Sequence, residues 1–538
     1  MKNFSQLLLI LLLILSLGSL AALNQMELLT SMTGEFYGSY FGYSLVSMDF
    51  NGDGYDDLIV HSIAWNPDGV YGQHGTNGWG KTYCYWGGPD FDNVADLTFT
   101  GTHHGGYNGP LRNAGDVNGD GYDDLLAYNY ENLITSGIFF GGPNPSVVPD
   151  ILITKPENLI YSMGAYPLGD ITGDGKADIA LHVEVRAKLS YPVFYIWTGE
   201  DQPWYEVMSN FNGNFMATYG VGDVNNDGID DFGINYGIPG GEWEDRRFVL
   251  YYGSQNFPQL DSLVIAANTN PELGGHGFNP VGDVNGDGIA DFLTMNNHIW
   301  YGGDSIVADP DLALIYRTEW HDWSSMLYCK IPHCTYGDFN GDGYDDVVGS
   351  NYGAYYYEGE VGIWLGSANM DPNCDLYLRP PQFHNTEQFG WDKAAGDFNA
   401  DGLCDLAISF PSDYAVPQWS EGTVFVYSGN ADMVANEDQL ITKPESCDWE
   451  ISLYPSPFAR GQGVYIDFIG ADYKQATGVN LDVYNLKGQK VRSLDGISTG
   501  STYQLPENLT SSLNSGMYII AVKQGQKTLY TRKICIIK

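Results

Sequence analysis

One nine-residue pattern, Asp-x-Asn-x-Asp-Gly-x-x-Asp, dominates the sequence and recurs seven times along the chain. The copies follow one another at intervals of 67, 54, 53, 60, 55 and 59 residues. They begin at Asp49, Asp116, Asp170, Asp223, Asp283, Asp338 and Asp397. Self-similarity at a fixed period indicates an array of one structural unit that stacks on copies of itself. The chain is therefore built largely from seven repeats.

The surroundings of each copy predict four short strands per repeat. A Gly-rich or aromatic stretch precedes the motif, and a short apolar strand such as residues 58–60 follows it. An aromatic strand that ends in glycine comes next, and a last strand begins near an aspartate such as Asp96. Seven four-stranded sheets can close into a ring, whereas an open stack would leave a hydrophobic face bare at each end. We predict an all-β fold, with a seven-bladed β-propeller over residues 22–445.

Both ends of the predicted propeller carry a segment of the outer-strand type, residues 27–32 and residues 438–441. Only one of them is needed to complete the ring. The sequence leaves open which terminus does so.

Composition agrees with an all-β protein and restricts its partners. Of 538 residues, 67 are Gly and 39 are Tyr, and only 17% are charged. The 67 acidic side chains outnumber the 24 basic ones and give a formal net charge of −43. Because a phosphate-binding surface needs clustered Lys and Arg, we expect no nucleic acid partner.

The repeated motif has the donor spacing of a calcium-binding loop. Calcium prefers six or more oxygen ligands at about 2.3–2.6 Å, several of them carboxylates. Positions 1, 3, 5 and 9 would supply side-chain oxygens and position 7 its backbone carbonyl, while the glycine at position 6 permits a sharp turn. The predicted metal ligands are Asp49, Asn51, Asp53, Tyr55, Asp57, Asp116, Asn118, Asp120, Tyr122, Asp124, Asp170, Thr172, Asp174, Lys176, Asp178, Asp223, Asn225, Asp227, Ile229, Asp231, Asp283, Asn285, Asp287, Ile289, Asp291, Asp338, Asn340, Asp342, Tyr344, Asp346, Asp397, Asn399, Asp401, Leu403 and Asp405.

The alternative is a set of plain Asx turns, in which Asp and Asn bond to their own backbone. Such turns alone do not explain three carboxylates at fixed places seven times over, because neighbouring carboxylates repel one another. We therefore expect up to seven structural Ca²⁺ ions. The third loop, with Thr172 and Lys176, and the seventh, with Leu403 and Cys404, depart most from the pattern.

The repeats resemble FG-GAP (VCBS-type) repeats, the blades of the integrin α-chain N-terminal propeller and of many secreted bacterial proteins. The resemblance covers roughly four fifths of the chain. It implies calcium bound at loops on one side of the ring, and an extracellular role in adhesion or ligand recognition.

Residues 1–21 have the layout of a secretory signal peptide. Lys2 is followed by the apolar run 7–15 and by Ser19-Leu20-Ala21, whose small residues suit cleavage after Ala21. That run is too short to span a bilayer comfortably, and we expect no membrane span in the mature chain. The seven cysteines lack the regular spacing of a disulfide framework, although Cys329 and Cys334 are near enough to pair.

Residues 446–538 predict a small β-sandwich, since several alternating strands are separated by turn signals. The segments LYPSPF, VYNLKGQKVRSL, SGMYII and TRKICIIK resemble the type A C-terminal sorting domain of the type IX secretion system of Bacteroidetes-like bacteria. Ser456 stands where that family usually has Asn. The resemblance implies transport across the outer membrane by the type IX machinery, to the medium or the cell surface.

Two functions fit these features, and the sequence does not separate the first of them from a third, a purely structural matrix or scaffold component. The first is a non-catalytic module that binds an extracellular polysaccharide or surface protein, with Trp65, Trp79, Trp320 and Trp323 as aromatic candidates in the rim loops. The alternative is a polysaccharide lyase or hydrolase built on the propeller. We expect no enzyme, because the periodic aspartates serve the metal loops and no GxSxG or HExxH motif occurs. The remaining clusters, His103-His104 and His321 with His333, suit exposed loops.

Overall fold

The structure is a computed structural model. It describes residues 26–68, 78–101, 109–128, 135–154, 161–184, 193–199, 205–208, 214–237, 247–266, 278–294, 297–315, 335–351, 359–380, 388–411, 421–433, 449–454, 458–459, 465–470, 479–485, 490–497, 503–504, 516–524 and 527–537. Within these ranges no helix occurs and all the extended elements are β-strands, as predicted. The chain divides into two compact units, Met1–Asn436 and Glu437–Lys538.

The N-terminal unit contains seven four-stranded antiparallel sheets, which confirms the predicted seven blades. The first strand is β1 (Glu27–Thr33). Blade 1 consists of β2 (Phe41–Met48), β3 (Asp57–Ser62), β4 (Lys81–Tyr85) and β5 (Leu97–Thr100), and blade 2 of β6 (Leu111–Gly115), β7 (Asp124–Tyr128), β8 (Thr135–Phe139) and β9 (Ile151–Thr154). Blade 3 consists of β10 (Tyr161–Gly169), β11 (Asp178–Glu184), β12 (Val193–Trp197) and β13 (Tyr205–Met208). Blade 4 consists of β14 (Asn214–Gly222), β15 (Asp231–Gly237), β16 (Arg247–Tyr251) and β17 (Ser262–Ala266), and blade 5 of β18 (Phe278–Gly282), β19 (Asp291–Thr294), β20 (His298–Trp300) and β21 (Leu312–Ala313). Blade 6 consists of β22 (Thr335–Gly337), β23 (Asp346–Asn351), β24 (Glu360–Trp364) and β25 (Leu376–Leu378), and blade 7 begins with β26 (Lys393–Gly396), β27 (Asp405–Phe410) and β28 (Thr423–Ser428).

The first strand of each blade lies at the centre of the ring. Strands β2, β6, β10, β14, β18, β22 and β26 each pack against the corresponding strand of the next blade, and β26 packs against β2. The seven sheets therefore form a closed ring.

The N-terminal strand closes this ring. Strand β1 pairs antiparallel with β28, with Met32 opposite Val424 and Thr33 opposite Thr423, and so becomes the outer strand of blade 7. Residues 438–441, the other candidate for this place, lie outside the described residues. The seventh blade thus joins strands from both ends of the propeller.

The hydrophobic core lies between adjacent blades. One cluster, for example, combines buried Ile59 and Cys84 of blade 1 with Leu125 and Phe139 of blade 2. Comparable clusters lie around the ring. Because each blade buries its faces against its neighbours, its stability depends on the ring being closed.

Strand β1 offers a direct test of ring closure. Met32 is 2% exposed and packs in a cluster with Phe41 and Val424. We expect Met32→Asp to lower the free energy of unfolding by roughly 3 kcal/mol or more, because it buries an unpaired charge at the closing blade. Leu28→Asp, on the same strand but 47% exposed, is the matched control and should change it by less than about 0.5 kcal/mol. Equal effects in denaturant titrations would contradict closure through β1.

The C-terminal unit contains two sheets. Its strands are β29 (Trp449–Tyr454), β30 (Phe458–Ala459), β31 (Tyr465–Gly470), β32 (Val479–Asn485), β33 (Lys490–Ile497), β34 (Tyr503–Gln504), β35 (Gly516–Gln524) and β36 (Lys527–Ile537). One sheet has the order β29-β31-β34 and the other β30-β36-β35-β32-β33, and β30 pairs parallel with β36. Buried Asp482 on β32 accepts a hydrogen bond from Ser493 and lies 3.5 Å from Lys523, which joins three neighbouring strands. Two sheets from one short segment agree with the predicted sandwich.

No helix in the described part of the chain is long and apolar enough to cross a membrane.

Candidate functional site

All seven motifs occupy the same place in their blades. Each lies in the turn between the first and second strands, and its ninth residue is the first residue of the second strand. These strand-initiating residues are Asp57, Asp124, Asp178, Asp231, Asp291, Asp346 and Asp405. Since the first strands surround the centre side by side, the seven loops lie on one face of the ring.

The carboxylate at position 9 organises the turn. In the second loop, Asp124 is fully buried and accepts hydrogen bonds from the backbone N–H groups of Val117 (3.0 Å) and Gly141 (3.0 Å). The same pair of bonds recurs in the fourth loop, where Asp231 accepts from Val224 and Gly253. One side chain thus ties the loop to the end of the third strand.

The side chains at positions 1, 3 and 5 bond to the loop itself. Asp116 accepts from the backbone N–H groups of Gly119 (2.6 Å) and Gly121 (2.7 Å). Asn118 accepts from the N–H of Asp120 (2.8 Å), and its own amide donates to the Asp120 carboxylate (3.0 Å). The Asx turns considered above are therefore present, built from the same residues that were predicted as ligands.

Position 6 needs glycine because of its backbone conformation, and not because neighbouring atoms leave no room for a side chain. In the second loop Gly121 has φ +93°, and a Cβ built there would meet no atom within 4 Å. The left-handed conformation alone therefore favours glycine, because other L-residues adopt it at a cost. Position 4 is also left-handed, and there Asn226 (φ 59°) and Ala400 (φ 59°) replace glycine.

The carboxylates of each loop are close enough to affect one another. Burial, together with the negative charges of Asp120 and Asp116, raises the pKa of Asp124 to about 7. In the third loop, burial and then Asp174 and Asp170 raise the pKa of Asp178 to about 8. The site therefore concentrates negative charge that nearby cations would offset.

The loops differ in one respect from a preformed metal-binding site. Among the residues that the structure describes, no three His, Cys, Asp or Glu side chains are grouped so as to hold a metal ion. Positions 1 and 5 point at loop amides in every copy, including the divergent third and seventh, where Asp170 accepts from Gly175 and Asp397 from Gly402. The donor atoms fit a hard cation, and side-chain rotation at these two exposed or half-exposed positions would bring them to it.

In three of the seven copies position 8 connects neighbouring loops, a role that the sequence analysis missed. The Asp230 carboxylate accepts a hydrogen bond from the N–H of Asp170 in the preceding loop (2.8 Å), and Asp345 does the same for Asp283 (2.8 Å). Asp56 of the first loop accepts from Asp397 of the last (2.9 Å), across the closure of the ring. An aspartate at position 8 in four of seven copies was the available signal.

The aromatic and histidine candidates are only partly described. Trp65 is half-buried on blade 1, where its indole N–H donates to the Glu35 carboxylate (2.7 Å) and Lys81 Nζ lies 5.1 Å from its ring centroid. Trp79 is also half-buried. The other candidates lie outside the described residues: Trp320, Trp323, His103, His104, His321 and His333, as do Cys329 and Cys334 and the predicted signal peptide.

Comparison with protein families gives one match in each unit. Residues 452–538 match the family described as the secretion system C-terminal sorting domain. Residues 41–61, which contain β2, the first loop and most of β3, match the FG-GAP repeat. The chain thus carries an FG-GAP repeat in its first blade and a C-terminal sorting domain. It is secreted or lies on the outer cell surface of a Bacteroidetes-like bacterium, as predicted from the tail.

The chain is similar to segments of several larger proteins. Integrin alpha-PS2 of Drosophila melanogaster is 35% identical over 139 residues, which are 24% of this chain and 10% of that protein. Human integrin alpha-6 is 28% identical over 27% of this chain and 12% of its own length. Phosphatidylinositol-glycan-specific phospholipase D of Bos taurus is 26% identical over 31% of this chain and 25% of its own length. The chain thus spans a quarter or less of each of these relatives.

Solved structures resemble the chain only distantly. PorZ, described as an essential bacterial surface component of the type-IX secretion system of Porphyromonas gingivalis, gives a TM-score of 0.39 at 11% identity, covering 92% of this chain and 59% of that one. BBS1N in complex with ARL6DN gives 0.37 at 12% identity, covering 74% and 94%. Scores this low support no inference about function.

Proposed function

We propose that this protein is a calcium-stabilised recognition module that binds an extracellular ligand without changing it chemically. The observation that carries the proposal is the set of seven oxygen-rich loops at equivalent turns on one face of a closed ring. Such a ring is a rigid platform, and the loops on its rims are free to vary in sequence.

Calcium is the cation that suits these loops. Each loop offers carboxylates at positions 1, 5 and 9, and six of the seven add the amide oxygen of Asn at position 3. Burial, together with the charges of Asp120 and Asp116, raises the pKa of Asp124, and a bound dication would offset this by favouring the charged carboxylate. The similarity to FG-GAP repeats and integrin α-chains supports the same assignment. We propose up to seven structural Ca²⁺ sites.

The sorting domain suggests how the module reaches its place of action. We infer that residues 1–21 are a signal peptide and that the type IX secretion machinery engages residues 446–538. The ligand would then be a polysaccharide or a surface protein outside the cell. The similarity to integrin α-chains favours adhesion within this range.

A polysaccharide lyase or hydrolase is the alternative. Glycoside hydrolysis needs two carboxylates on opposite sides of a bond, one of them free to donate or accept a proton. The strand-initiating carboxylates of the loops instead accept backbone hydrogen bonds, as Asp124 and Asp231 do. One relative carries the name of a phospholipase, but the matched part covers only 25% of it. We therefore propose a binding function.

The test is to pass the purified full-length secreted protein, with calcium, over immobilised polysaccharides and bacterial surface proteins. Retained protein and released soluble products are measured in the same experiment. We expect retention on one class without product, and loss of retention when the protein is first treated with chelator. Product that increases with time would overturn the binding function in favour of the enzyme. Retention on none of the surfaces would contradict adhesion.

A further inference from the structure

The centre of the ring contains an open cavity of about 450 Å³, lined by residues from the first strand of every blade or the segment next to it. Four of its lining residues stand at one level, each four positions before the first aspartate of its motif: Arg112, Tyr166, Tyr219 and Asn279. They belong to the consecutive blades 2, 3, 4 and 5. This side of the cavity is therefore a continuous polar and aromatic wall. Its volume is in the range of about 300–1,000 Å³ found for small-molecule sites.

Arg112 is a cation with unused hydrogen-bond donors. Its guanidinium lies 4.5 Å from the centroid of the Tyr166 ring, and it makes no hydrogen bond or ion pair with any residue in the described part of the chain. The protein has 67 acidic side chains, so an arginine without a carboxylate partner stands out. Guanidinium groups bind carboxylates through two parallel hydrogen bonds.

Two polar side-chain groups that line the cavity lack hydrogen-bond partners. The Thr218 hydroxyl and the Asn279 side-chain N–H₂ are buried, with residue exposures of 0% and 2%, and neither has a hydrogen-bond partner. An unpaired buried polar group costs free energy, and native proteins rarely keep one without a reason. Both residues line the cavity that Arg112 lines. Their polar atoms have almost no accessible surface, so a ligand with hydroxyl groups would satisfy them after a side-chain rotation toward the cavity.

The other charged groups of the cavity are already engaged. Asp392 accepts hydrogen bonds from the backbone N–H groups of Leu45 (2.9 Å) and Lys393 (2.8 Å). Lys393 Nζ donates to the Ser350 hydroxyl (2.8 Å) and the Gly390 carbonyl (3.3 Å). Burial lowers the pKa of Lys393 to about 8. Arg112 is thus the group in this wall that would select the charge of a ligand.

We propose that the central cavity binds a small hydroxycarboxylate of the sugar-acid class. Its carboxylate would pair with Arg112, its hydroxyl groups would bond with Thr218 and Asn279, and its carbon face would lie against Tyr166 and Tyr219. Sugar rings suit such aromatic walls because they present an apolar face between polar edges. This site goes beyond the proposed recognition of a polymer by the rims and does not depend on it.

The probe is D-glucuronate, titrated calorimetrically into the full-length protein in calcium, beside D-glucose and inorganic phosphate. We expect saturable glucuronate binding with a Kd of about 1 mM or tighter, and binding of glucose at least about tenfold weaker. No saturable binding of glucuronate would overturn the proposal. Phosphate or glucose binding as tight as that of glucuronate would overturn the carboxylate assignment.

Two variants locate the site. Arg112→Gln should weaken glucuronate binding by about tenfold to hundredfold, since it removes a charged hydrogen-bond donor. Arg492→Gln, the same change on an exposed strand of the C-terminal unit, is the matched control and should leave the affinity unchanged. Thr218→Val removes the unpartnered hydroxyl and keeps nearly the same side-chain shape. The variant should therefore fold as the parent does and still weaken glucuronate binding by about threefold or more. Unchanged affinity in the folded Thr218→Val and Arg112→Gln proteins would contradict a site in the cavity.

Discussion

Removal of calcium with a chelator is expected to lower the melting temperature of the propeller by about 10 °C or more. A site occupied at about 100 times its dissociation constant stabilises the folded state by roughly 2.7 kcal/mol. Several such loops contribute to the stability of one ring, because the sheets bury their faces against one another. A typical domain has only about 5–15 kcal/mol of stability in total, so the loss of a few sites is a large fraction.

The experiment is a thermal melt of the full-length protein in calcium, in chelator, and in chelator followed by excess calcium. The third sample should regain the first melting temperature. Magnesium should restore less, since it requires a tighter octahedral shell than a flexible loop of this kind provides. A second transition from the C-terminal unit, which has none of the nine-residue motifs, should stay unchanged and serves as an internal control. An unchanged propeller melt in chelator would contradict structural calcium.

The sequence predicted the ring because one local pattern was repeated in register. The period fixed the number of blades, and the apolar residues after each motif correctly placed strands such as β3 and β27. Ring closure could not be decided in this way, because residues 27–32 and 438–441 share the outer-strand pattern. Which of them pairs with β28 depends on contacts across nearly 400 residues, such as Met32 opposite Val424. Local propensity carries no information about such pairing.

The central cavity was beyond the sequence for a related reason. Arg112, Thr218 and Asn279 belong to different blades, and only the closed ring brings their strands to one wall. Within the loops, the motif identified the side chains whose oxygens can bind a metal. It did not identify the backbone amides from which these oxygens accept hydrogen bonds in the structure. Asp116 and Asp120 accept from nearby amides in their own turn, while Asp124 also accepts from Gly141 of the third strand. That last bond depends on strand register, which a nine-residue pattern does not contain.

Positions 9 and 5 therefore have different tasks, and a pair of alanine variants should separate them. Asp124→Ala leaves the buried N–H groups of Val117 and Gly141 without an acceptor. Because each such group costs about 1–3 kcal/mol, we expect it to destabilise the propeller by roughly 3 kcal/mol or more whether or not calcium is present. Asp120 is exposed and accepts only from its own loop, so Asp120→Ala should cost less than about 1 kcal/mol in chelator.

In calcium both variants should cost more than in chelator, because positions 5 and 9 are both proposed ligands. Asp120→Ala removes a carboxylate ligand, so the loop loses up to about 2.7 kcal/mol of stabilisation that exists only with the ion bound. Denaturant unfolding of the parent and both variants, with and without calcium, gives the four differences in unfolding free energy between variant and parent. Asp227→Ala and Asp231→Ala repeat the comparison in the fourth loop, where the same bonds occur. If Asp124→Ala were harmless in chelator, the carboxylate at position 9 would serve the metal alone. If Asp120→Ala cost as much without calcium as with it, position 5 would be a purely structural turn residue and the calcium assignment would fail for that loop.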